Sequence, residues 1–159
     1  MDGAAAAAQG ESATVYAARR DGLAVSTDGG KQWSHAALPQ TLTGVRAMTV
    51  GASGTVWVGG REGVWYSSDR GANWTEYKNL PLGGINGLDY DAALGRVLVT
   101  SRDSTLVFGL IPGEKSWKWW DAGWKVHQVW TEGGRLVGAS IFDGVVVQQG
   151  GGAASGGQE

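Results

Sequence analysis

Two eight-residue segments with the same pattern, S-x-D-x-G-x-x-W, constrain the fold of this chain more than any other feature. The first segment runs from Ser26 to Trp33 and the second from Ser67 to Trp74, so that matching positions are 41 residues apart. A turn motif that recurs at a fixed period of this size indicates a repeat architecture. The sequence therefore predicts a structural unit that is repeated about every 41 residues.

The same shift also aligns the segments between the two octets. The segment Thr14–Ala17 aligns with Thr55–Val58 and then with Arg96–Val99. Each unit contains short runs of β-branched and aromatic residues between Gly-bearing turns, which is the pattern of antiparallel strands. Four-stranded units of this length are typical of β-propellers. We therefore predict an all-β propeller of about four blades with the last one incomplete, at 1–41, 42–82, 83–124 and 125–149, followed by a flexible Gly/Ala-rich tail at 150–159.

The composition supports this fold and excludes several classes of function. The chain has 159 residues, with 28 Gly, 9 Trp, 3 Pro and no Cys, as expected for tight turns and large aromatic side chains between sheets. Its net charge of −2 gives no electrostatic reason to expect binding to nucleic acid. No apolar run approaches the ~18 residues that a membrane span requires. We therefore expect no direct membrane insertion, and no signal peptide is visible in this chain.

The octets resemble the Asp-box, or BNR repeat, of sialidase-type propellers. From the residue types alone, each Asp can accept backbone N–H groups within its own turn and each Gly permits a positive φ. Each Trp begins the outermost strand, where it is expected to pack between blades. In the enzymes of the Asp-box family, which the octets resemble, these turns lie away from the active sites. We therefore predict a structural role for Ser26, Asp28, Gly30, Trp33, Ser67, Asp69, Gly71 and Trp74.

A second periodic feature is an arginine in the turn between the second and third strands of a unit. Arg20, Arg61 and Arg102 recur every 41 residues, and in a four-stranded meander they lie on the face opposite the octets. Arginines with a fork of donors suit a carboxylate or an acidic or C-terminal peptide segment. The alternative is a solvated turn in which each Arg pairs weakly with its acidic neighbour.

This combination resembles propellers of the photosystem II assembly factor type. The resemblance implies a non-catalytic protein that holds a protein partner, here through an arginine-bearing face. It rests on short repeats, and therefore indicates a class of protein more than a particular partner. The leaning of Asp-box proteins toward export favours an exported or periplasmic location, although the sequence leaves the compartment open.

The densest aromatic stretch runs from Trp117 to Trp124. Exposed indoles there would form a platform for a sugar or a protein partner, so Trp119, Trp120 and Trp124 are further candidate binding residues. The alternative is that these side chains pack between blades. The two histidines, His35 and His127, have no partner at metal-ligand spacing and are expected to be ordinary strand residues.

We predict no catalytic residues, no metal site and no cofactor. A glycosidase needs two carboxylates across one cleft, and only Asp89, Asp91, Asp103 and Asp143 qualify, by elimination. A carbohydrate-binding module or a fragment of an Asp-box glycoside hydrolase remains the alternative. Because four blades are few for this family, the ring could close alone, be completed by a second copy in a homodimer, or be part of something longer.

Overall fold

The structure is a computed structural model that describes residues 5–8, 14–19, 22–140, 144–148 and 154–157. Within these ranges the regular structure consists of sixteen β-strands and one short 3₁₀ turn at Ala52–Gly54. No helix in these ranges is long and apolar enough to cross a membrane. The prediction of an all-β fold is confirmed.

Four antiparallel sheets, which we call blades 1 to 4, follow one another along the chain. Blade 1 contains β1 (Ala5–Ala8), β2 (Thr14–Arg19), β3 (Gly22–Ser26) and β4 (Ser34–Ala36). Blade 2 contains β5 (Ala47–Val50), β6 (Val56–Gly59), β7 (Val64–Ser67) and β8 (Thr75–Glu76). Blade 3 contains β9 (Ile85–Asp91), β10 (Arg96–Ser101), β11 (Leu106–Leu110) and β12 (Ser116–Asp121). Blade 4 contains β13 (Gln128–Glu132), β14 (Arg135–Ser140) and β15 (Gly144–Val147).

The first strands of the blades lie side by side in chain order. Strand β5 packs between β1 and β9, and β9 in turn packs against β13. Within the described ranges, no packing of comparable extent joins β13 back to β1. The blades therefore form an open arc, which is a partial β-propeller of four blades.

Three apolar clusters fill the spaces between neighbouring blades and hold the arc together. The cluster between blades 2 and 3 contains the fully buried Trp57 and Ile85, and the ring centroids of Trp57 and Tyr66 lie 5.0 Å apart. Burial of one such large side chain stabilises a fold by about 2–3 kcal/mol. Among the described residues, blades 2 and 3 therefore have an apolar cluster on each face, whereas blades 1 and 4 have one on a single face.

The structure differs from the sequence prediction in the 150–159 segment. Residues Ala154–Gly157 form a strand, β16, that pairs antiparallel with β12 as a fifth strand of blade 3. The prediction of a flexible tail is therefore wrong for these four residues. The outer edge of β12 offers free backbone donors and acceptors, and pairing with them needs no β-branched side chain. Glycine at position 156 also leaves room for the Trp117 indole, since a Cβ there would lie 2.6 Å from Trp117 Nε1.

Candidate functional site

The two octets form turns that share a set of hydrogen bonds, and we call them octet turn 1 (Ser26–Trp33) and octet turn 2 (Ser67–Trp74). In turn 1, Ser26 Oγ donates to Asp28 Oδ1 at 2.8 Å, and that oxygen also accepts the Gln32 N–H at 2.9 Å. In turn 2, Ser67 Oγ donates to Asp69 Oδ1 at 2.7 Å. Both carboxylates therefore bind the backbone and side chains of their own turns.

These hydrogen bonds lower the pKa of both carboxyl groups. For Asp28 the lowering comes first from the Gln32 N–H and then from the Ser26 hydroxyl. The backbone N–H and side-chain amide of Asn73, followed by the Ser67 hydroxyl, bring the pKa of Asp69 to about 2. A carboxyl group with a lowered pKa suits an acceptor in a turn better than a general acid that works near neutral pH.

The opposite face of the arc carries the turns that join the second and third strands of each blade. Arg61 and Arg102 lie in these turns of blades 2 and 3, and both side chains are exposed. The backbone of Gly84 links them, because its N–H donates to the Arg61 carbonyl at 3.1 Å and its carbonyl accepts the Arg102 N–H at 3.2 Å. Arg20 and the corresponding turn of blade 4, including Asp143, lie outside the described residues.

A groove of about 770 Å³ lies on this opposite face, between blades 3 and 4. Its walls come from the Arg102 turn of blade 3, from the connection between β12 and β13, and from the end of β14. The lining residues are Asn86, Arg102, Asp103, Thr105, Gly123, Trp124, Lys125, Val126, His127 and Ser140. The groove thus brings together two residues that the sequence singled out separately, Arg102 and Trp124.

The connection between blades 3 and 4 presents Trp124 and Lys125 to solvent. It is anchored at both ends, because Ala122 and Val126 are buried between the blades. The Ala122 N–H donates to the Thr105 carbonyl at 2.9 Å, and the Gly123 N–H donates to Asp121 Oδ1 at 2.9 Å. This last bond is the first cause of a lowered pKa of Asp121, followed by a bond from the Thr105 side chain. The two exposed side chains therefore project from a fixed backbone.

Two residues at the base of the groove, Asn86 and His127, were not identified as site residues from the sequence. Each stands at the start of the innermost strand of its blade, and Arg46 holds the same place in blade 2. The Asn86 Oδ1 atom accepts the Thr100 hydroxyl at 3.0 Å. A side chain at position 87 would collide with the His127 carbonyl, so glycine there lets blades 3 and 4 approach. These three positions recur about every 41 residues, and that spacing could have identified them from the sequence.

The tryptophan-rich stretch is divided between the interior and the groove. Trp117 and Trp120 are 7% and 8% exposed and pack in the clusters on either side of blade 3. Trp119 is partly buried at the edge of the cluster between blades 2 and 3. Trp124 is 38% exposed. The prediction of Trp120 as a surface platform is therefore wrong, because strand alternation points it toward blade 4.

The described carboxylates that were considered for catalysis do not face each other across the groove. Asp89 Oδ2 accepts the Val129 N–H at 3.1 Å, and Asp91 Oδ2 accepts the Thr131 N–H at 2.6 Å. Burial raises the pKa of Asp89. Both side chains thus hold the innermost strand of blade 4. Of the described residues, Asp103 is the one carboxylate that lines the groove, and the described chain holds no cluster of three potential metal ligands.

Comparison with known proteins gives a match in structure only. No family model matches the sequence, and no curated protein matches it. A solved structure of YCF48 bound to D1 peptide matches with a TM-score of 0.57 and 17% sequence identity. The match covers 94% of this chain and 52% of that chain, so this chain spans about half the length of the YCF48 chain. The resemblance to assembly-factor-type propellers is confirmed at the level of fold.

Proposed function

We propose that this protein is a non-catalytic interaction propeller that binds an acidic peptide segment of a protein partner in the groove between blades 3 and 4. The observation that carries the proposal is the composition of the groove. It combines two exposed cations, Arg102 and Lys125, with an exposed indole, Trp124, on one fixed surface.

The electrostatics of the groove favour an anionic ligand. Two cations and one carboxylate, Asp103, line it, whereas the whole chain has a net charge of −2. The positive charge is therefore local. The guanidinium of Arg102 can donate two parallel hydrogen bonds to a carboxylate, and Lys125 can add a point charge beside it. An aromatic face such as that of Trp124 provides apolar contact area for the peptide next to the acidic group.

The fold comparison supports a peptide as the ligand class. The YCF48 structure was solved with a D1 peptide bound, so a propeller of this fold can hold a peptide. The single carboxylate in the described groove also supports binding over glycoside hydrolysis, which uses a pair of carboxylates.

Binding of a carbohydrate is the second candidate function. The observation in its favour is the 38% exposure of Trp124, since an exposed indole is a platform on which a sugar ring can stack. The two candidates differ in their dependence on charge. Peptide binding through cations weakens as salt is added, whereas stacking of a neutral sugar on Trp124 does not.

The proposal is tested by measuring the affinity of short acidic peptides by calorimetry and by tryptophan fluorescence. We expect Arg102→Ala to weaken binding about 10-fold or more, because a hydrogen bond to a charged group contributes about 1.5–3 kcal/mol. Trp124→Ala should also weaken binding. Neutral oligosaccharides serve as the comparison ligands.

Arg61→Ala is the matched control. It removes the same residue type from the equivalent turn of blade 2, which does not line the groove, and it should leave the affinity unchanged. Equal losses for the Arg61 and Arg102 variants would instead favour a binding surface spread over the whole face. Absence of binding to any acidic peptide by the folded protein would contradict the proposal.

A further inference from the structure

Large apolar side chains are exposed at the two ends of the arc. On blade 4, Trp130 is 41% exposed, Val145 66% and Val147 43%, whereas Val137 is 8% exposed. Trp130 lies opposite Val137, which lies opposite Val147, so these side chains share one face of the sheet. Val145 lies two residues before Val147 and therefore shares that face. We call this apolar surface the blade 4 end face.

The repeat shows what normally covers such a face. In blade 2 the equivalent row is Thr49, Trp57 and Tyr66. The equivalence follows from two matching backbone hydrogen bonds. The Arg46 N–H, just before β5, donates to the Gly59 carbonyl, and the His127 N–H, just before β13, donates to the Ala139 carbonyl. Trp57 is fully buried against the following blade. The blade 4 end face is thus a continuation of the series of interfaces between blades.

The opposite end of the arc, on blade 1, presents the other half of such an interface. Trp74 in octet turn 2 packs against blade 1 and donates from Nε1 to the Ala37 carbonyl at 2.7 Å. Trp33 holds the same place in octet turn 1, is 48% exposed, and donates to Gly30 of its own turn at 3.0 Å. Trp33 therefore projects from the face that a preceding blade would contact, which we call the blade 1 end face.

The two end faces differ in the size of their side chains. The blade 4 end face carries the Trp130 indole and three valines. The blade 1 end face carries Ala17 and Ala24 where blade 2 has Val58 and Trp65, and His35 lies opposite Ala24 on the same face. The two alanines leave space for larger side chains of a neighbour, as in close-packed interiors.

We propose that two copies of this chain close into one eight-bladed ring, with the blade 4 end face of each copy against the blade 1 end face of the other. Four blades of an eight-bladed ring span half a circle, so a two-fold axis closes it, and two-fold dimers are the commonest protein oligomers. The match with YCF48 covers 94% of this chain and 52% of that chain, so the four blades correspond to about half of the YCF48 chain.

The area of the end faces is close to the minimum for a specific dimer. A face of four strands, each about five residues long, covers roughly 16 by 19 Å, or about 300 Å², and the three described strands of blade 4 cover about 230 Å² by the same spacings. Ring closure buries two faces of each kind, about 1,060 Å², and a specific interface should exceed roughly 1,000 Å².

The test is the molar mass of the 159-residue chain in solution, measured by light scattering over a wide range of concentrations. We expect a dimer of about 33 kDa, twice the mass of 16.6 kDa for one chain. Trp130→Glu on one end face and Trp33→Glu on the other should each give a folded monomer. A mass of one chain for the wild type at every concentration would overturn the proposal.

Two further variants identify which faces meet. Trp124→Glu changes an equally exposed indole that lies in the groove and on neither end face, and it should leave the dimer intact. If two blade 4 end faces met each other instead, Trp33→Glu would also leave the dimer intact, and the proposed arrangement would be wrong. Circular dichroism verifies that each variant is folded, and an unfolded variant is replaced by Val145→Glu or Ala17→Glu on the same face.

Discussion

Octet turns 1 and 2 have the same sequence pattern and share the hydrogen bonds between their Ser, Asp and backbone N–H groups, but they have different neighbours. In turn 2, a Cβ on Gly71 would lie 3.1 Å from both Ala36 and Leu23 of blade 1. In turn 1, the one described contact of a Cβ on Gly30 would be with Trp33 of its own turn, at 3.8 Å. One turn is thus wedged against a preceding blade, whereas the other stands at the open end of the arc.

The comparison separates two roles of one motif. The Ser and Asp of each octet organise the turn by local bonds, which are present in both places. The Gly and Trp also form part of an interface between blades, and this second role is fulfilled in turn 2 alone. Substitutions at matched positions can therefore measure the contribution of the interface separately from that of the turn.

Substitution of the matched glycines, Gly71 and Gly30, should give the largest difference in the free energy of unfolding. Gly71→Ala places a Cβ at a φ of +87° and against blade 1, so it should lower the free energy of unfolding by about 3 kcal/mol. Gly30→Ala, at a φ of +93°, carries the backbone cost alone, about 1 kcal/mol. Urea unfolding of both variants measures this. Equal losses would mean that the contact with blade 1 adds nothing.

Substitution of the matched tryptophans, Trp74 and Trp33, should give the next largest difference in the free energy of unfolding. Trp74→Ala removes a partly buried indole and its hydrogen bond to Ala37, which should cost about 2 kcal/mol. Trp33→Ala should cost less than about 0.5 kcal/mol in the monomer, since Trp33 is 48% exposed. Thermal unfolding at low protein concentration is the measurement. A greater cost for Trp33 that appears only at high concentration would agree with burial of that residue in a closed ring.

The smallest expected effect is a change in the pKa of the octet carboxyl groups, Asp28 and Asp69. The Asn73 side-chain amide donates to Asp69 Oδ2 at 2.7 Å, whereas Gln32 donates to Asp28 through its backbone N–H. Asn73→Ala should therefore raise the pKa of Asp69 from about 2 toward its ordinary value, while Gln32→Ala leaves the pKa of Asp28 unchanged. Carboxyl carbon shifts in NMR titrations report both. An unchanged pKa of Asp69 in the Asn73 variant would contradict the assigned cause.

The sign of the resulting pH dependence follows from the lowered pKa. A carboxyl group with a folded-state pKa below its unfolded value stabilises the fold above the unfolded value. For Asp69 that contribution is complete above about pH 4 and is lost as the pH falls through about 2. Asp69→Asn should flatten the acid limb of the stability profile between these values.

The sequence was sufficient to predict the all-β fold and its propeller architecture. It did not reveal that Arg102 and Trp124 share a groove, because they are 22 positions apart and meet only through the packing of blade 4 on blade 3. It also led to a wrong prediction for Trp120, since a cluster of aromatic residues does not show which members a neighbouring sheet covers. Strand β16 was missed because its partner, β12, is more than 30 residues away.

The sequence by itself determined the turns. The bonds that shape an octet join residues two to four positions apart, so residue types and spacing are sufficient to specify them. The tertiary structure decided which octet is buried, which tryptophan reaches solvent and where cations gather. Those outcomes depend on contacts between blades that are about 40 residues apart in the chain. Two octets with the same pattern therefore differ in environment between the inside of the arc and its open end.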